Sequence, residues 1–532
     1  MSGLSTSKRL MKMKWNGNEY DIEFIPADGV PALLKIIQDE TGVPMERAKL
    51  MPKTKKTWKG VLTPKYDLTS LPPPPAPLSA LLMGSAELPV APKTATVFLE
   101  DLPDSEVAAS GAALPSGLVN LGNTCYMNST LQCMRYASPF RSGLLHASQG
   151  GLASPFNAAL NATYQAVESS LSPVPPASFV AAMRQAYPQF AEQSQRGGYA
   201  QQDADEFLNA LFMSAGQVTG DDALKAAFGG TLPDKEALNG ASSLTDAVFG
   251  MKMEETLTCP EAGEAEPSVV KHDTATKLVC NIQGGPGSKI QIGHIGEGLE
   301  LGLSGEVEKQ SSALGRNAVW KVQRRVDRLP PVLVVQMMRF FWKATPNNAD
   351  HAGTKCKIMR PVKFNDSLDA FQFCSERVKG ILKGPRDAKA KREEEEAEKK
   401  LRGMEAGGKA GKADDDVEMK DADAPAADST EDDPDLKAAL AMSMSSAAAP
   451  RAGPGLPDAF MGIYELFGVV CHKGRDSSSG HYVSWVRSAP GSDLWYIFDD
   501  DEVSECKTEE VLKLTGGGDW HMSYLNFYRA KE

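Results

Sequence analysis

One cysteine in this sequence stands in a setting suited to nucleophilic chemistry. Cys125 ends a glycine- and asparagine-rich segment, residues 117–124 (GLVNLGNT), and an apolar helical pattern begins directly after it. We therefore expect its thiol at a helix N-terminus. The positive end of the helix dipole favours the thiolate there, and the thiolate is the nucleophilic form of cysteine.

A histidine and an aspartate far downstream could serve this thiol. His481 opens the alternating strand pattern HYVSWV, and a second strand pattern over residues 494–498 ends in Asp499. A thiol hydrolase needs a base that accepts the thiol proton and a group that orients the base. The order predicts Cys125 as nucleophile, His481 as base and Asp499 as the carboxylate that orients His481.

Two further aspartates compete with Asp499 for the orienting role. Asp500 and Asp501 follow it directly in the run FDDD. Because side chains alternate between the two faces of a strand, we expect Asp500 to point away from the histidine. The alternation therefore favours Asp499.

Two neighbours of the proposed catalytic residues have plainer interpretations. Cys133 lies two helical turns after Cys125, which predicts a core position. His472 is the histidine nearest to His481 in the sequence. We expect it beyond a strand end, on the far side of a glycine- and serine-rich loop, and therefore not as the base.

The body of the chain after Leu114 changes from helical to strand-rich patterns. Helices are predicted over 125–136, 154–169, 176–186 and 203–213. Strands are predicted over 257–259, 278–282, 332–341, 464–471, 481–486, 494–498 and 524–528. A helical half that faces a β half across a cleft is an α+β architecture of the papain type, and clefts of this kind hold active sites.

The N-terminal residues form a separate small unit of α+β pattern, residues 11–84, after a tail of residues 1–10. An Asn16-Gly17 turn predicts a hairpin, and a helical stripe follows Pro31. This order is similar to a ubiquitin-like β-grasp domain that does not end in Gly-Gly. We expect the hairpin over 11–24, the helix to Gly42, strands near 49–51, 58–62 and 79–83, and a linker over 85–113.

Residues 377–457 interrupt the catalytic body, which extends over residues 114–532. They contain the run KREEEEAEKK and then alanine-, glycine- and aspartate-rich sequence. Because such a composition buries little apolar surface, we predict a disordered low-complexity insertion.

The composition limits the classes of partner. A net charge of −12 argues against general nucleic-acid binding, and there is no apolar run of about twenty residues that could span a membrane. The eight cysteines form no CxxC pair. A site built from Cys259, His272 and Cys280 is therefore a weak alternative, and we expect neither a metal nor another cofactor.

Three separate motifs resemble the ubiquitin-specific proteases, a family of cysteine deubiquitinases. Residues 117–132 (GLVNLGNTCYMNSTLQ) match the cysteine box of that family. Residues 480–486 (GHYVSWV) with 495–501 (WYIFDDD) match its histidine box, and 199–207 (YAQQDADEF) match its QQDAxEF segment. The resemblance covers residues 114–376 and 458–530.

The resemblance implies roles for three more residues. Asn120 corresponds to the side chain that stabilises the oxyanion, although a loop or cap role is the alternative. Asp203 and Glu206 correspond to the acidic pair that holds the arginine-containing tail of ubiquitin. On a helix the two lie on one face, and Asp203 could also cap that helix.

Residues 431–446 contain a segment that resembles a ubiquitin-interacting motif. An acidic run precedes one helical face formed by Leu436, Ala439, Leu440 and Ser443. The alternative is a generic alanine-rich helix. In proteasome-associated members of the family, two loops cover the tail cleft, and residues 343–360 and 474–480 match them in position.

Together these features predict a cysteine deubiquitinase that acts on ubiquitin conjugates. Residues 11–84 would dock on the regulatory particle of the proteasome, and the protein would work in the cytoplasm and the nucleus without nucleic-acid or membrane partners. The alternative is a non-catalytic ubiquitin receptor or proteasome regulator that retains the fold.

Overall fold

The structure is a computed structural model that describes most of the chain in two compact units, residues 1–101 and 102–532. The described residues are 7–53, 57–72, 78–84, 113–151, 153–194, 197–283, 290–343, 354–407, 450–476, 479–518 and 520–531. Nearly all of the predicted linker and the whole ubiquitin-interacting-motif-like segment lie outside them. Within these ranges, no helix combines the length and apolarity needed to cross a bilayer.

The N-terminal unit is a four-stranded sheet that packs against one helix. Strand β1 (Arg9–Trp15) pairs antiparallel with β2 (Asn18–Phe24) and parallel with β4 (Leu78–Met83), and β3 (Lys49–Pro52) pairs antiparallel with β4. Helix α1 (Gly29–Thr41) crosses between β2 and β3. The strand order β2-β1-β4-β3 fits the predicted ubiquitin-like β-grasp fold.

Alternate side chains of the strands face α1 and form the core of this unit. Met11 and Met13 of β1 are buried on the side of Leu33 and Ile37 of α1. The predicted strand over 58–62 is wrong, because this segment is irregular. Its buried Trp58 and Leu62 supply apolar cover to the core rather than a sheet ladder.

Helices form the first half of the second unit. They are α2 (Cys125–Arg135), α3 (Ser138–Gln149), α4 (Pro155–Ser169), α5 (Ala177–Ala186), α6 (Ala204–Ala215), α7 (Asp221–Ala227), α8 (Lys235–Leu238) and α9 (Leu244–Val248). Of these, α2, α4, α5 and α6 lie where the sequence predicts helices.

An eight-stranded sheet forms most of the second half, in the order β17-β16-β15-β14-β18-β10-β7 with β13 against β14. Its strands are β7 (Leu278–Cys280), β10 (Val332–Met337), β13 (Ser367–Asp369), β14 (Ile463–Asp476), β15 (Ser479–Arg487), β16 (Leu494–Asp499), β17 (Glu502–Lys507) and β18 (Met522–Ala530). This sheet contains most of the strands that the patterns predict.

Both faces of this sheet are buried. Val332 and Val334 of β10 pack into the helical core, whereas Leu333 and Val335 pack into a second core on the opposite face. A strand buried on both sides shows continuous apolar sequence rather than alternation, as the run VLVV does. The helical half therefore rests on one face of the sheet, and the catalytic strands meet α2 there.

Among the described residues, a second sheet, a hairpin and three more α-helices complete the unit. The four-stranded sheet has the order β6-β5-β9-β8, and a hairpin joins β11 to β12. The elements are β5 (Met251–Thr258), β6 (Val269–Ala275), β8 (Ser304–Ser311), β9 (Arg316–Arg328), β11 (Phe340–Lys343), β12 (Thr354–Lys357), α10 (Ile295–Gly302), α11 (Glu376–Gly407) and α12 (Thr508–Val511).

The prediction of disorder from residue 377 onward is wrong for its first part. Residues 376–407 form α11, and Val378 and Leu382 anchor the first turns of this helix in the core. The returning chain is anchored as well, because Ala452 and Leu456 are buried. The prediction used the average composition of the whole insertion, which does not reveal a few buried apolar residues.

Candidate functional site

The cysteine loop is shaped by its glycine and asparagine residues. Gly122 and Asn123 have φ angles of +94° and +57°, a region that these two residue types tolerate best. Asn120 Oδ1 accepts hydrogen bonds from the backbone N–H groups of Gly122 at 2.9 Å and Thr124 at 3.2 Å. The turn delivers Cys125 as the first residue of α2, as the sequence predicts.

Gly117 lets this loop touch the aspartate run. A Cβ atom at Gly117 would lie 2.6 Å from the carbonyl oxygen of Asp500, so no larger residue fits without a shift of the backbone. The next residue, Leu118, donates its backbone N–H to the same carbonyl at 2.9 Å. This contact joins two motifs that lie far apart in the sequence.

His481 connects the thiol to a carboxylate. Its Nε2 lies 2.5 Å from Asp499 Oδ1, and the ring also forms a hydrogen bond with Cys125. Because Nε2 faces the carboxylate, Nδ1 is the ring nitrogen that remains for the thiol. The structure thus brings together the three residues that the sequence predicts as nucleophile, base and orienting carboxylate.

The two hydrogen bonds change the protonation of the pair. The bond to Asp499, followed by the bond to Cys125, raises the pKa of His481 to about 10, and the bond to His481 lowers the pKa of Asp499. A raised histidine pKa stabilises the fold below about pH 6.5, and this contribution is lost as pH rises through about 10. At neutral pH the site favours an imidazolium, the usual partner of a catalytic thiolate.

Asp500 does not point away from the site, which corrects the alternation argument. Strand β16 ends at Asp499, and Asp500 turns out of it with a φ of +54°. Its carboxylate accepts hydrogen bonds from the side-chain amides of Asn120 at 2.7 Å and Asn128 at 2.8 Å, and lies 4.0 Å from His481 Nε2. Burial raises the pKa of this carboxyl group.

Asn128 is a site residue that the sequence reasoning missed. It is buried one turn into α2, and its amide also donates to the carbonyl oxygen of Leu118 at 3.2 Å. A polar side chain three residues after the nucleophile, on an otherwise buried helix, was the available signal. With Asp500 it fixes the amide of Asn120 relative to Cys125.

The neighbours of the catalytic residues are buried. Cys133 packs against Gly468 in the core, as predicted, and burial raises its pKa. His472 is fully buried inside β14 rather than beyond a strand end. Its ring packs against Phe340 and Tyr482, and its Nδ1 lies 2.9 Å from the Lys357 ammonium. The conclusion that it is not the base therefore stands, although the predicted location is wrong.

The predicted acidic pair follows directly after a segment that contacts the thiol. Gln201 Nε2 is 4.0 Å from Cys125 Sγ, and the same segment leads into α6. Asp203 caps α6 by accepting from the Asp205 backbone N–H at 2.8 Å, and it also accepts from the Tyr524 hydroxyl at 2.7 Å. Glu206, one turn later, is exposed.

These carboxylates line a cavity of about 180 Å³ together with aromatic side chains. The lining residues include Asp203, Asp205, Glu206, Phe340 and Tyr524. Lys277 binds Asp205 in a close ion pair, and Asn209 accepts from the same ammonium at 2.9 Å. Lys277 therefore offsets the charge of Asp205.

The residues considered as metal ligands do not come together. Cys259 and Cys280 lie in two different apolar clusters. His272 is exposed on β6, where it pairs with Glu254 across the sheet. The weak alternative of a shared metal site therefore has no geometric support.

Comparison with known proteins identifies the family. The family model "Ubiquitin carboxyl-terminal hydrolase" (UCH) matches residues 116–528. Ubiquitin carboxyl-terminal hydrolase 6 of Arabidopsis thaliana is 36% identical over 532 residues, covering 98% of both chains. Its namesake in Schizosaccharomyces pombe is 32% identical over 98% of both chains. Ubiquitin carboxyl-terminal hydrolase 14 of Caenorhabditis elegans is 28% identical, over 98% of this chain and 93% of its own.

The family model spans both motif boxes and the helical and sheet halves between them, and the relatives extend through the ubiquitin-like unit as well. The predicted resemblance to the ubiquitin-specific proteases is thereby confirmed. The chain belongs to the ubiquitin carboxyl-terminal hydrolase family and is a cysteine deubiquitinase.

Proposed function

We propose that this protein hydrolyses the isopeptide or thioester bond at the C-terminus of conjugated ubiquitin while bound to the proteasome. The observation that carries the catalytic part is the hydrogen-bonded series Cys125, His481 and Asp499 beside an acidic cavity. An isopeptide-linked ubiquitin dimer should yield monomers. If the protein binds ubiquitin but does not cleave this dimer, the alternative of a non-catalytic ubiquitin receptor would be favoured.

The geometry supports a two-step mechanism. The Cys125 thiolate attacks the carbonyl carbon of the terminal glycine, and the electrons of the C=O bond move to oxygen. As the C–N bond breaks, the His481 imidazolium gives its proton to the leaving lysine amine and a thioester remains on Cys125. Water then loses a proton to His481 and attacks the thioester, which releases ubiquitin and the thiolate.

Asn120 is the side chain that we assign to the oxyanion. Its amide has two N–H donors, and Asp500 accepts from the amide at 2.7 Å, which sets its plane. Replacing Asn120 with alanine should lower kcat by about 10² to 10³, the usual effect of losing one oxyanion donor. Steady-state hydrolysis of a fluorogenic ubiquitin amide measures this, and an unchanged kcat would reduce Asn120 to a loop role.

Glu206 is the better candidate for reading the cationic tail of ubiquitin. Asp203 is 7% exposed, caps α6 and accepts from the Tyr524 hydroxyl, whereas the side chain of Glu206 is exposed to solvent at the cavity. A charge-assisted hydrogen bond contributes about 1.5 to 3 kcal/mol. We therefore expect Glu206 to contribute mainly to binding, and Asp203 to contribute to both binding and the stability of α6.

Reversing the charge at Glu206 tests this division. Glu206→Lys should raise KM for ubiquitin substrates by about tenfold to a hundredfold, with a smaller effect on kcat. A glutamate elsewhere on the surface, Glu308 of β8, provides the control, because Glu308→Lys should leave KM unchanged. Equal KM values for the Glu206 variant and the parent would exclude Glu206 from tail binding.

The ubiquitin-like unit offers an open sheet face for docking. Leu81 and Met83 of β4 are 44% and 50% exposed, and Met51 of β3 lies beside Leu81 in register. Lys14 and Lys49 lie opposite Leu81 and Met83 on the neighbouring strands. An apolar centre with a basic border fits an apolar, acid-bordered surface on the regulatory particle.

Substitution on this face should separate docking from catalysis. Leu81→Glu should greatly reduce the amount of this protein that co-purifies with proteasomes, because it places a carboxylate in the apolar centre. Hydrolysis of a fluorogenic ubiquitin amide by the free protein should not change. Val61→Glu is the matched control, since Val61 is 41% exposed elsewhere in the unit. Full proteasome binding by the Leu81 variant would show that this face does not dock.

Two further proposals concern a second ubiquitin-binding segment and the location of the protein. The ubiquitin-interacting-motif-like segment, Leu436, Ala439, Leu440 and Ser443, stays a prediction from the sequence because it lies outside the described residues. We infer a cytoplasmic and nuclear location. The eight free thiols of the chain support it, since those compartments keep cysteines reduced.

A further inference from the structure

A buried lysine joins the base of the β11–β12 hairpin to the end of β14, close to the turn into β15. Lys357, at the end of β12, is 8% exposed. Its ammonium donates to His472 Nδ1 at 2.9 Å, to the His472 carbonyl at 2.7 Å and to the Gly474 carbonyl at 3.1 Å. An ammonium has three N–H donors, and all three have an acceptor on β14.

The position of these contacts is informative. Lys357 closes the β11–β12 hairpin, and Gly474 lies near the end of β14 where the chain turns into β15. In the sequence, the two hairpins overlap residues 343–360 and 474–480, the segments that match the loops expected to cover the tail cleft. A charge buried at this junction is costly unless its acceptors are held in place, so the contacts favour one arrangement of the two strand ends.

His472 extends the contact to the catalytic histidine. Its ring centroid lies 4.7 Å from that of Tyr482 and 5.5 Å from that of Phe340. Gly480 packs closely against this ring and against the Lys473 carbonyl, because a Cβ atom there would be 2.7 Å from His472 Nε2 and 2.3 Å from the Lys473 oxygen. Gly480 is bonded to His481, so the position of the His472 ring limits where the backbone of the base can lie.

We propose that Lys357 is a positioning residue: acting through His472 and Gly480, it holds the catalytic base in line with Cys125 and couples this alignment to the two hairpins. This role rests on the proposed assignment of His481 as the base. It adds a residue from outside the three sequence motifs to the catalytic apparatus. Contacts thus lead from Lys357, at the base of the β11–β12 hairpin, through His472 and Gly480 to the catalytic His481.

The test compares substitutions that keep or remove the three donors. Lys357→Met keeps the length and apolar stem of the side chain but has no N–H group. Lys357→Arg keeps the charge and the donors. Lys309→Met is the control, because Lys309 packs on Trp320 in the four-stranded sheet, away from the site. Thermal unfolding of each variant establishes that it is folded.

Two readouts report on the base itself. The first is kcat for a fluorogenic ubiquitin amide, which should fall by about 10² in Lys357→Met, as misplacement of a catalytic group by about 1 Å can cause. The second is the rate of iodoacetamide reaction at Cys125 as a function of pH, resolved by peptide mass spectrometry. In Lys357→Met the reactivity at neutral pH should decrease and its pH dependence should change, because His481 is no longer held in place beside Cys125. Lys357→Arg should restore most of both values.

The outcomes separate this proposal from the proposed function. Iodoacetamide reports the cysteine–histidine pair without ubiquitin, so failed tail binding or docking would leave its result unaffected. If folded Lys357→Met keeps the parent kcat and the parent pH profile, the positioning role is wrong. If Lys357→Met does not fold, Gly480→Ala takes its place. Its added Cβ would displace the backbone next to His481, and an unchanged profile in that folded variant would overturn the proposal.

Discussion

Replacing Cys125 with alanine should abolish hydrolysis of every ubiquitin conjugate while leaving the fold and ubiquitin binding intact. Removing the nucleophile of a hydrolase lowers kcat by on the order of 10⁶, because no other group in the site can form the acyl intermediate. The thiol is buried at the start of α2 and hydrogen-bonded to His481, so its loss creates only a small cavity. Turnover of an isopeptide-linked ubiquitin dimer measures the effect.

Cys133 provides the control for this substitution. It lies in the same helix, is fully buried and packs against Gly468, and burial raises its pKa. Cys133→Ala should therefore lower the free energy of unfolding by a modest amount and leave kcat within a few-fold of the parent. Residual turnover in Cys125→Ala, or a comparable loss in Cys133→Ala, would contradict the assignment of the nucleophile.

Replacing Asp499 with asparagine should lower kcat by about 10² to 10⁴ and move the alkaline limb of the pH profile. The carboxylate lies 2.5 Å from His481 Nε2 and is the largest cause of the raised pKa of that histidine, about 10. Without it the pKa falls towards 6.5, so the imidazolium that protonates the leaving amine is lost at a lower pH. Activity should therefore decline on the alkaline side well before it does in the parent.

Substitutions of Asp500 and Asp501 provide the controls for Asp499→Asn. Asp501 is exposed, so Asp501→Asn should behave like the parent. Asp500 holds Asn120 and Asn128, so Asp500→Asn should mimic loss of the oxyanion donor and lower kcat. Because Asp500 lies 4.0 Å from His481 Nε2, it should move the alkaline limb less than Asp499→Asn does. An alkaline limb that moves in Asp500→Asn but not in Asp499→Asn would transfer the orienting role to Asp500.

The catalytic motifs were the most predictable part of this protein. Cys125, His481 and Asp499 each stand next to residues that shape their own local backbone, such as Gly122 and Asn123 at a positive φ. Local sequence therefore indicated where each side chain would be presented. The β-grasp unit was predictable for the same reason, because its hairpin turn and alternating strands are short-range features.

Long-range contacts account for what the sequence could not predict. Asp500 was assigned to the wrong face because the alternation rule holds only inside a strand, and β16 ends one residue earlier. The contact between Gly117 and the aspartate run depends on the packing of the whole domain. Lys357 and His472 gave no signal, since a lysine in a strand is ordinarily solvated and only the tertiary fold buries this one.

Reaction with ubiquitin that carries a C-terminal electrophile tests the central claim most directly. The parent protein should form one covalent adduct with Cys125 as the modified residue, identified by peptide mass spectrometry. Cys125→Ala should form none, and Cys133→Ala should react like the parent. The reaction should be run with and without proteasomes, because loops over the tail cleft would make the adduct depend on them. Absence of a Cys125 adduct in both conditions would contradict the account of this chain as a cysteine deubiquitinase.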